Sequence, residues 1–130
     1  MATRKHLLPE EWGDQAAEAV RGLNHATIHP DGYQVASEVD AVIGHLDATV
    51  YRMHQAITQA MRWLHAATDA GRIGHDQDHP AGPGVDLPAE LEAMDTALLR
   101  AAARLEGARE QFEAARRVSA HLTTHIEKER

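Results

Sequence analysis

The chain has no cysteine in its 130 residues. Disulfides, thiolate metal sites and a cysteine nucleophile are therefore excluded. Aromatic residues make up only 4% of it, and much of its 43% apolar content is alanine. Alanine favours helix strongly but buries little area, so any core built from it is thin. Basic residues are also short: 13 Lys and Arg stand against 20 Asp and Glu, a formal charge of −7 with histidine neutral. Direct nucleic-acid binding depends on Lys and Arg neutralising phosphates, and this balance argues against it. No apolar run approaches the roughly 20 residues of a membrane-spanning helix. The basic stretch Met1–His6 is followed only by Leu7 and Leu8 before Pro9 and a run of acids, which is not the pattern of a signal peptide. The expectation is a cytoplasmic protein. There is no glycine-rich phosphate loop and no serine in an elbow context. Arginine greatly outnumbers lysine, as in GC-rich bacterial genomes.

What is present is heptad order. From residue 35 to 70, Val39, Ile43, Leu46, Val50, Met53, Ile57, Ala60, Leu64 and Ala67 recur at alternating steps of four and three. That is the period of helices packed side by side. Val35, Val42, Thr49, Ala56 and Trp63 form a flanking row that widens the stripe, as in a bundle helix with more than one neighbour. A second seam runs Leu91, Met94, Leu98, Ala101, Leu105, Ala108, Phe112, Ala115, Ser119, Leu122, Ile126. Large and small residues match best when the two stretches run antiparallel with facing numbers summing to about 158, so that Ala67 meets Leu91, Ala60 meets Leu98 and Ile57 meets Ala101.

The expected fold is all-α: a single domain with a short N-terminal helix at about 9–27, a long helix at about 35–70, a flexible loop over 71–87, and a third helix at about 88–128. Pro9 suits a first helical turn, and Glu10, Glu11 and Asp14 complement the helix dipole. Trp12, Ala16, Ala19, Val20 and Leu23 make one apolar stripe on the first helix. Gly13 and Gly22 weaken that helix by up to about 1 kcal/mol each relative to alanine, so it needs a docking surface. The turn signal His29-Pro30-Asp31-Gly32 predicts that it folds back over Val35, Val42 and Ala56. Ser37 with Asp40 resembles a capping box for the second helix. Gly71 is its stop, and Asp86 or Leu87 caps the third helix.

Ten histidines are the compositional oddity. His25/His29, His75/His79 and His121/His125 have the i, i+4 spacing that on a helix places two imidazoles on one face. His75, Asp78, His79, His121 and His125 are the residues a histidine-based metal-binding bundle would use. Solvated surface histidine is the plainer reading, and no cofactor or metal is expected. Glu92/Asp95 and Glu110/Glu113 have a spacing usable by a small metal-dependent nucleotide hydrolase. Glu106, Glu110 and Glu113 nonetheless fall beside or opposite the seam, where a solvated face belongs. No enzymatic activity is expected.

Large apolar side chains left without a partner mark interfaces. Met61, Trp63, Leu99 and Ala102 are the candidates here. The functional expectation is a non-enzymatic helical interaction or adaptor module, assembled as a homodimeric, coiled-coil-like bundle, with room for a further protein partner.

Overall fold

A computed structural model describes residues 6–125 except Gln77 and Ala81. Three α-helices follow in order: α1, Pro9–Thr27; α2, Ala36–Asp69; α3, Leu87–Ser119. No strand occurs among the described residues. α2 and α3 form an antiparallel hairpin. Its tip is the 70–86 connection and its base lies where α2 begins and α3 ends.

The hairpin follows from the two heptad seams. Across it Asp40 meets Arg116 and Ser119, Asp47 meets Arg109, and His65 meets Asp95, so that partner numbers sum to 156–160. The axial register agrees with the one that size matching favours. The rotation of α3 differs slightly: Met94 and Ala108 of the expected seam stay half-buried, but Ala101 and Ala115 are exposed. Ala102, 6% exposed, lies in the seam, whereas Ala101 is exposed. The face of α3 turned toward α2 carries Leu91, Asp95, Leu98, Ala102, Leu105, Arg109, Phe112 and Ser119, all buried or half-buried. Within the run Ala101-Ala102-Ala103 one methyl is as good as the next, so the polar pairs on either side set the rotation.

The tip is stopped cleanly. Gly71 has φ 72°, a left-handed conformation that favours glycine. Gly71 N–H bonds Thr68 O and Arg72 N–H bonds Ala67 O, both at 2.9 Å, a Schellman closure. Ala67 beside it is 0% exposed. Residues 82–84 make one turn of 3₁₀ helix. Asp86 then caps α3, its carboxylate accepting from Ala89 N–H, with Pro88 and Glu90 in the first turn.

Three expectations are corrected. Ser37 is not the cap of α2. That position is Val35, with no side-chain bond, and Asp40 is instead engaged by Arg116 and Ser119. The first-turn N–H of Ala36 is satisfied from across the chain by Thr124 Oγ1 at 2.6 Å. α3 ends at Ser119, not near 128, and residues 120–125 continue as turn and coil. Ile126 and the rest of the expected last turns lie outside the described residues. Finally, α1 packs against neither α2 nor α3. Val35, Val42 and Ala56 are left without it, and no described residue of α1 is buried. The intervening turn is nonetheless tightly made. A Cβ on Gly32 would lie 2.6 Å from Ala26 O and 2.8 Å from Thr27 Cα, so the chain curls directly onto the end of α1.

The outcome is an open structure. The chain exposes 11091 Å², whereas a compact monomer of its 14.3 kDa mass exposes about 6,800 Å². Among the described residues the buried apolar side chains are Ala67 and Ala102 alone.

Candidate interaction surface

The two long edges of the hairpin differ in chemistry. One is a ladder of polar cross-links. At the base, Ser119 Oγ donates to Asp40 Oδ1 at 2.6 Å, and Arg116 reaches both oxygens of the same carboxylate at 3.3–3.4 Å. Ser119 first, and then the Arg116 guanidinium, hold the Asp40 carboxyl below its ordinary pKa. One heptad on, Arg109 Nε donates to Asp47 Oδ1 at 3.2 Å, and its guanidinium stacks 4.7 Å over the Tyr51 ring. Toward the tip, His65 Nε2 meets Asp95 Oδ2. The other oxygen of Asp95 is buried without a hydrogen bond to the protein. These side chains repeat at seven-residue intervals, Asp40 and Asp47 on α2 and Asp95, Ala102, Arg109 and Arg116 on α3, so they share one row on each helix.

The opposite side is apolar. In an antiparallel pair, rows displaced in the same rotational sense from the contact line emerge on the same side. On α2 the rows away from the polar ladder are Leu46, Met53, Ala60 and Val42, Thr49, Ala56, Trp63. On α3 the corresponding row is Met94, Ala101, Ala108 and Ala115. Met53 is 48% and Trp63 58% exposed, and Ala56, Ala60, Ala101 and Ala115 are open. The hairpin therefore presents an apolar side on which Met53, Ala56, Ala60, Trp63, Ala101 and Ala115 are exposed, and Val42, Leu46, Met94 and Ala108 are half-buried.

The four sequence-derived interface residues do not gather into one patch. Trp63 belongs to the apolar side, where Arg72 lies 5.7 Å from its ring centre. Leu99 is 59% exposed, but it shares a row with Glu92, Glu106 and Glu113, beside the polar ladder. Met61 is half-buried on the side of α2 that faces α3. Ala102 is in the seam and drops out as a surface residue. Met53, Ala101 and Ala115, which the heptad pattern places in the intrachain seam, are exposed instead. The polar ladder was missed, although Asp40/Asp47 and Arg109/Arg116, opposite charges at matching seven-residue spacing, carried its signal.

The metal-directed residues are scattered. α3 stops before His121 and His125, so the helical spacing argument does not apply to that pair. His29 lies beyond the end of α1. His75 and His79 adjoin edge to face in the loop, 4.8 Å between ring centres, and His79 Nε2 is 3.6 Å from Glu90 Oε1. Among the described residues no group of three or more His, Asp or Glu is placed to hold a metal ion. Glu110 and Glu113 line a shallow cleft of about 370 Å³ with Asp47, Glu106, Arg109 and Arg116. There Arg109 pairs with Asp47, while Glu113 pairs with Arg117 along its own helix. Among the described residues no helix is long and apolar enough to cross a membrane.

No protein-family model, no curated protein and no solved structure matches the chain.

Proposed function

We propose that this chain is a non-enzymatic helical interaction module that self-associates through the apolar side of the α2–α3 hairpin. One observation carries the reading: a hairpin whose only buried apolar side chains, among the described residues, are two alanines leaves an apolar side with exposed residues on both helices. The chain exposes about 4,300 Å² more than a compact monomer of its mass would. Covering the apolar part of that surface would stabilise an assembly by roughly 25 cal/mol per Å². A second copy is the natural cover. The apolar side carries large residues on α2 and alanines on α3, so two hairpins related by a two-fold axis can set each α2 against the partner's α3.

Of the carboxylates that a hydrolase would use, Asp95 pairs with His65 and Glu113 with Arg117, which favours a structural role for those two. A further protein partner would meet the finished bundle on its acidic exterior.

Two substitutions test the reading by solution mass. Met53→Asp, on the apolar side, is expected to convert a dimer to monomer. Leu99→Asp, equally exposed but beside the polar ladder, is expected to leave the dimer intact. The same response from both would remove the assignment of the apolar side.

A further inference from the structure

Two unpartnered apolar stripes belong to one chain. The first is the α1 stripe of Trp12, Ala16, Ala19, Val20 and Leu23. Trp12 is 60% exposed, and α1 touches neither of the other helices. The second is the outer row of α2, which lies on the apolar side but farther from α3 than the Met53 row. In it Val42 and Thr49 are half-buried, and Ala56 and Trp63 are exposed. The Arg72 guanidinium lies over the Trp63 ring, and α1 contacts none of the row.

Their lengths agree. At 1.5 Å per residue, the 19 residues of α1 span about 28 Å, and the row from Val42 to Trp63 spans about 31 Å. The turn between them does not bring them together within the chain. Gly32 is packed onto the backbone of Ala26 and Thr27, and Thr27 Oγ1 closes on Leu23 O at 2.9 Å, so the connection is built against the end of α1.

The area argument points the same way. Extensive obligate homodimers bury about 1,000–2,500 Å² per partner. Pairing hairpin faces alone would leave a remainder of the roughly 4,300 Å² excess. That remainder includes α1, which has no buried residue.

We infer that α1 is an exchanged arm: in the dimer, each α1 lies along the outer α2 row of the other copy and covers Val42, Ala56 and Trp63. This rests on the self-association proposed above and names what each copy contributes to it. An arm that finds its surface only in a second copy couples its docking to assembly. It also accounts for a helix weakened by Gly13 and Gly22 being kept in the chain.

The test uses the absence of cysteine. Gln15→Cys, on the flank of the α1 stripe and exposed, carries a nitroxide label on otherwise unlabelled full-length chain. This is refolded with an equal amount of nitrogen-15-labelled chain that has no cysteine. The expected result is loss of up to about half of the amide intensity around residues 42–63 of the nitrogen-15 chain, the share of those chains that random pairing puts in mixed dimers, and this loss can arise only between copies. If broadening of that row appears only when nitroxide and nitrogen-15 share a chain, α1 docks within its own chain and the exchange is wrong. If the dimer mass is found with no broadening of the row in either arrangement, the exchange is wrong while self-association stands. A monomer at every concentration overturns both.

Discussion

Ser119, the last residue of α3, donates its hydroxyl proton to Asp40 in the second turn of α2, 2.6 Å away and 79 residues apart in the chain. Arg116 holds the other oxygen of that carboxylate, and five residues past Ser119 the Thr124 hydroxyl accepts the N–H of Ala36. The base of the hairpin is thus latched by side chains from the end of the chain onto the start of α2. The latch stands in for the local cap that α2 lacks.

The latch is ionic on one side, which gives it a pH signature. The Ser119 hydrogen bond and the Arg116 guanidinium lower the Asp40 pKa from its ordinary 3.8. Stability from the charged carboxylate is therefore complete above that value and is lost as pH falls through the lower folded-state pKa. The thermal midpoint is expected to be insensitive to this group from neutral pH down to about pH 5, and to fall below about pH 4. Asp40→Asn should lower the midpoint by a few degrees at pH 7 and should converge with the parent in strong acid. Parallel curves across the whole range would mean that the charge of Asp40 contributes nothing.

Ala67 and Ala102 are the buried apolar side chains among the described residues, at 0% and 6% exposure. Ala102→Leu is expected to destabilise the hairpin by about 1–3 kcal/mol through overpacking, whereas Ala101→Leu, one residue away on the open side, should change monomer stability by less than about 0.5 kcal/mol. Denaturant unfolding of both variants, in the Met53→Asp background expected to be monomeric, separates the two rotations of α3. A larger loss at 101 would restore the rotation expected from size matching.

That one-residue rotation shows where legibility in the sequence stops. The heptad seams carried the helix type, the bounds of α1 and α2, the start of α3 and the axial register, because apolar periodicity and Gly or Pro punctuation act locally. The choice between Ala101 and Ala102 was not readable: both are alanine, and the decision falls to Asp40, Asp47, Arg109 and Arg116 meeting across the helices. Ser37–Asp40 looked like a cap because the local pattern allows it, but a tertiary partner took the carboxylate. The end of α3 has no Gly or Pro stop, so periodicity ran on through Leu122. Whether α1 folds back on its own chain depends on the path of the turn, and an amphipathic stripe carries no information about which chain it will cover.

Arg109 combines an ion pair to Asp47 with stacking on Tyr51. Arg109→Ala is expected to cost about 1 kcal/mol, the sum of a partly exposed pair and a cation–π contact. Arg109→Lys should recover less than half of that, because an ammonium cannot stack and donate in the same planar geometry. The part owed to the ion pair should shrink in high salt. Chemical denaturation with urea, which leaves ionic strength free, reads both effects. An arginine-to-alanine change with no cost would make the ladder decorative.

The central claim is that the apolar side of the hairpin is covered by a second copy of the chain. Sedimentation equilibrium of the untagged protein over a wide concentration range tests it most directly. A mass of twice 14.3 kDa, with a thermal midpoint that rises with protein concentration as mass action requires, is the predicted result. A mass of 14.3 kDa at every concentration, with a midpoint that does not move, would contradict it.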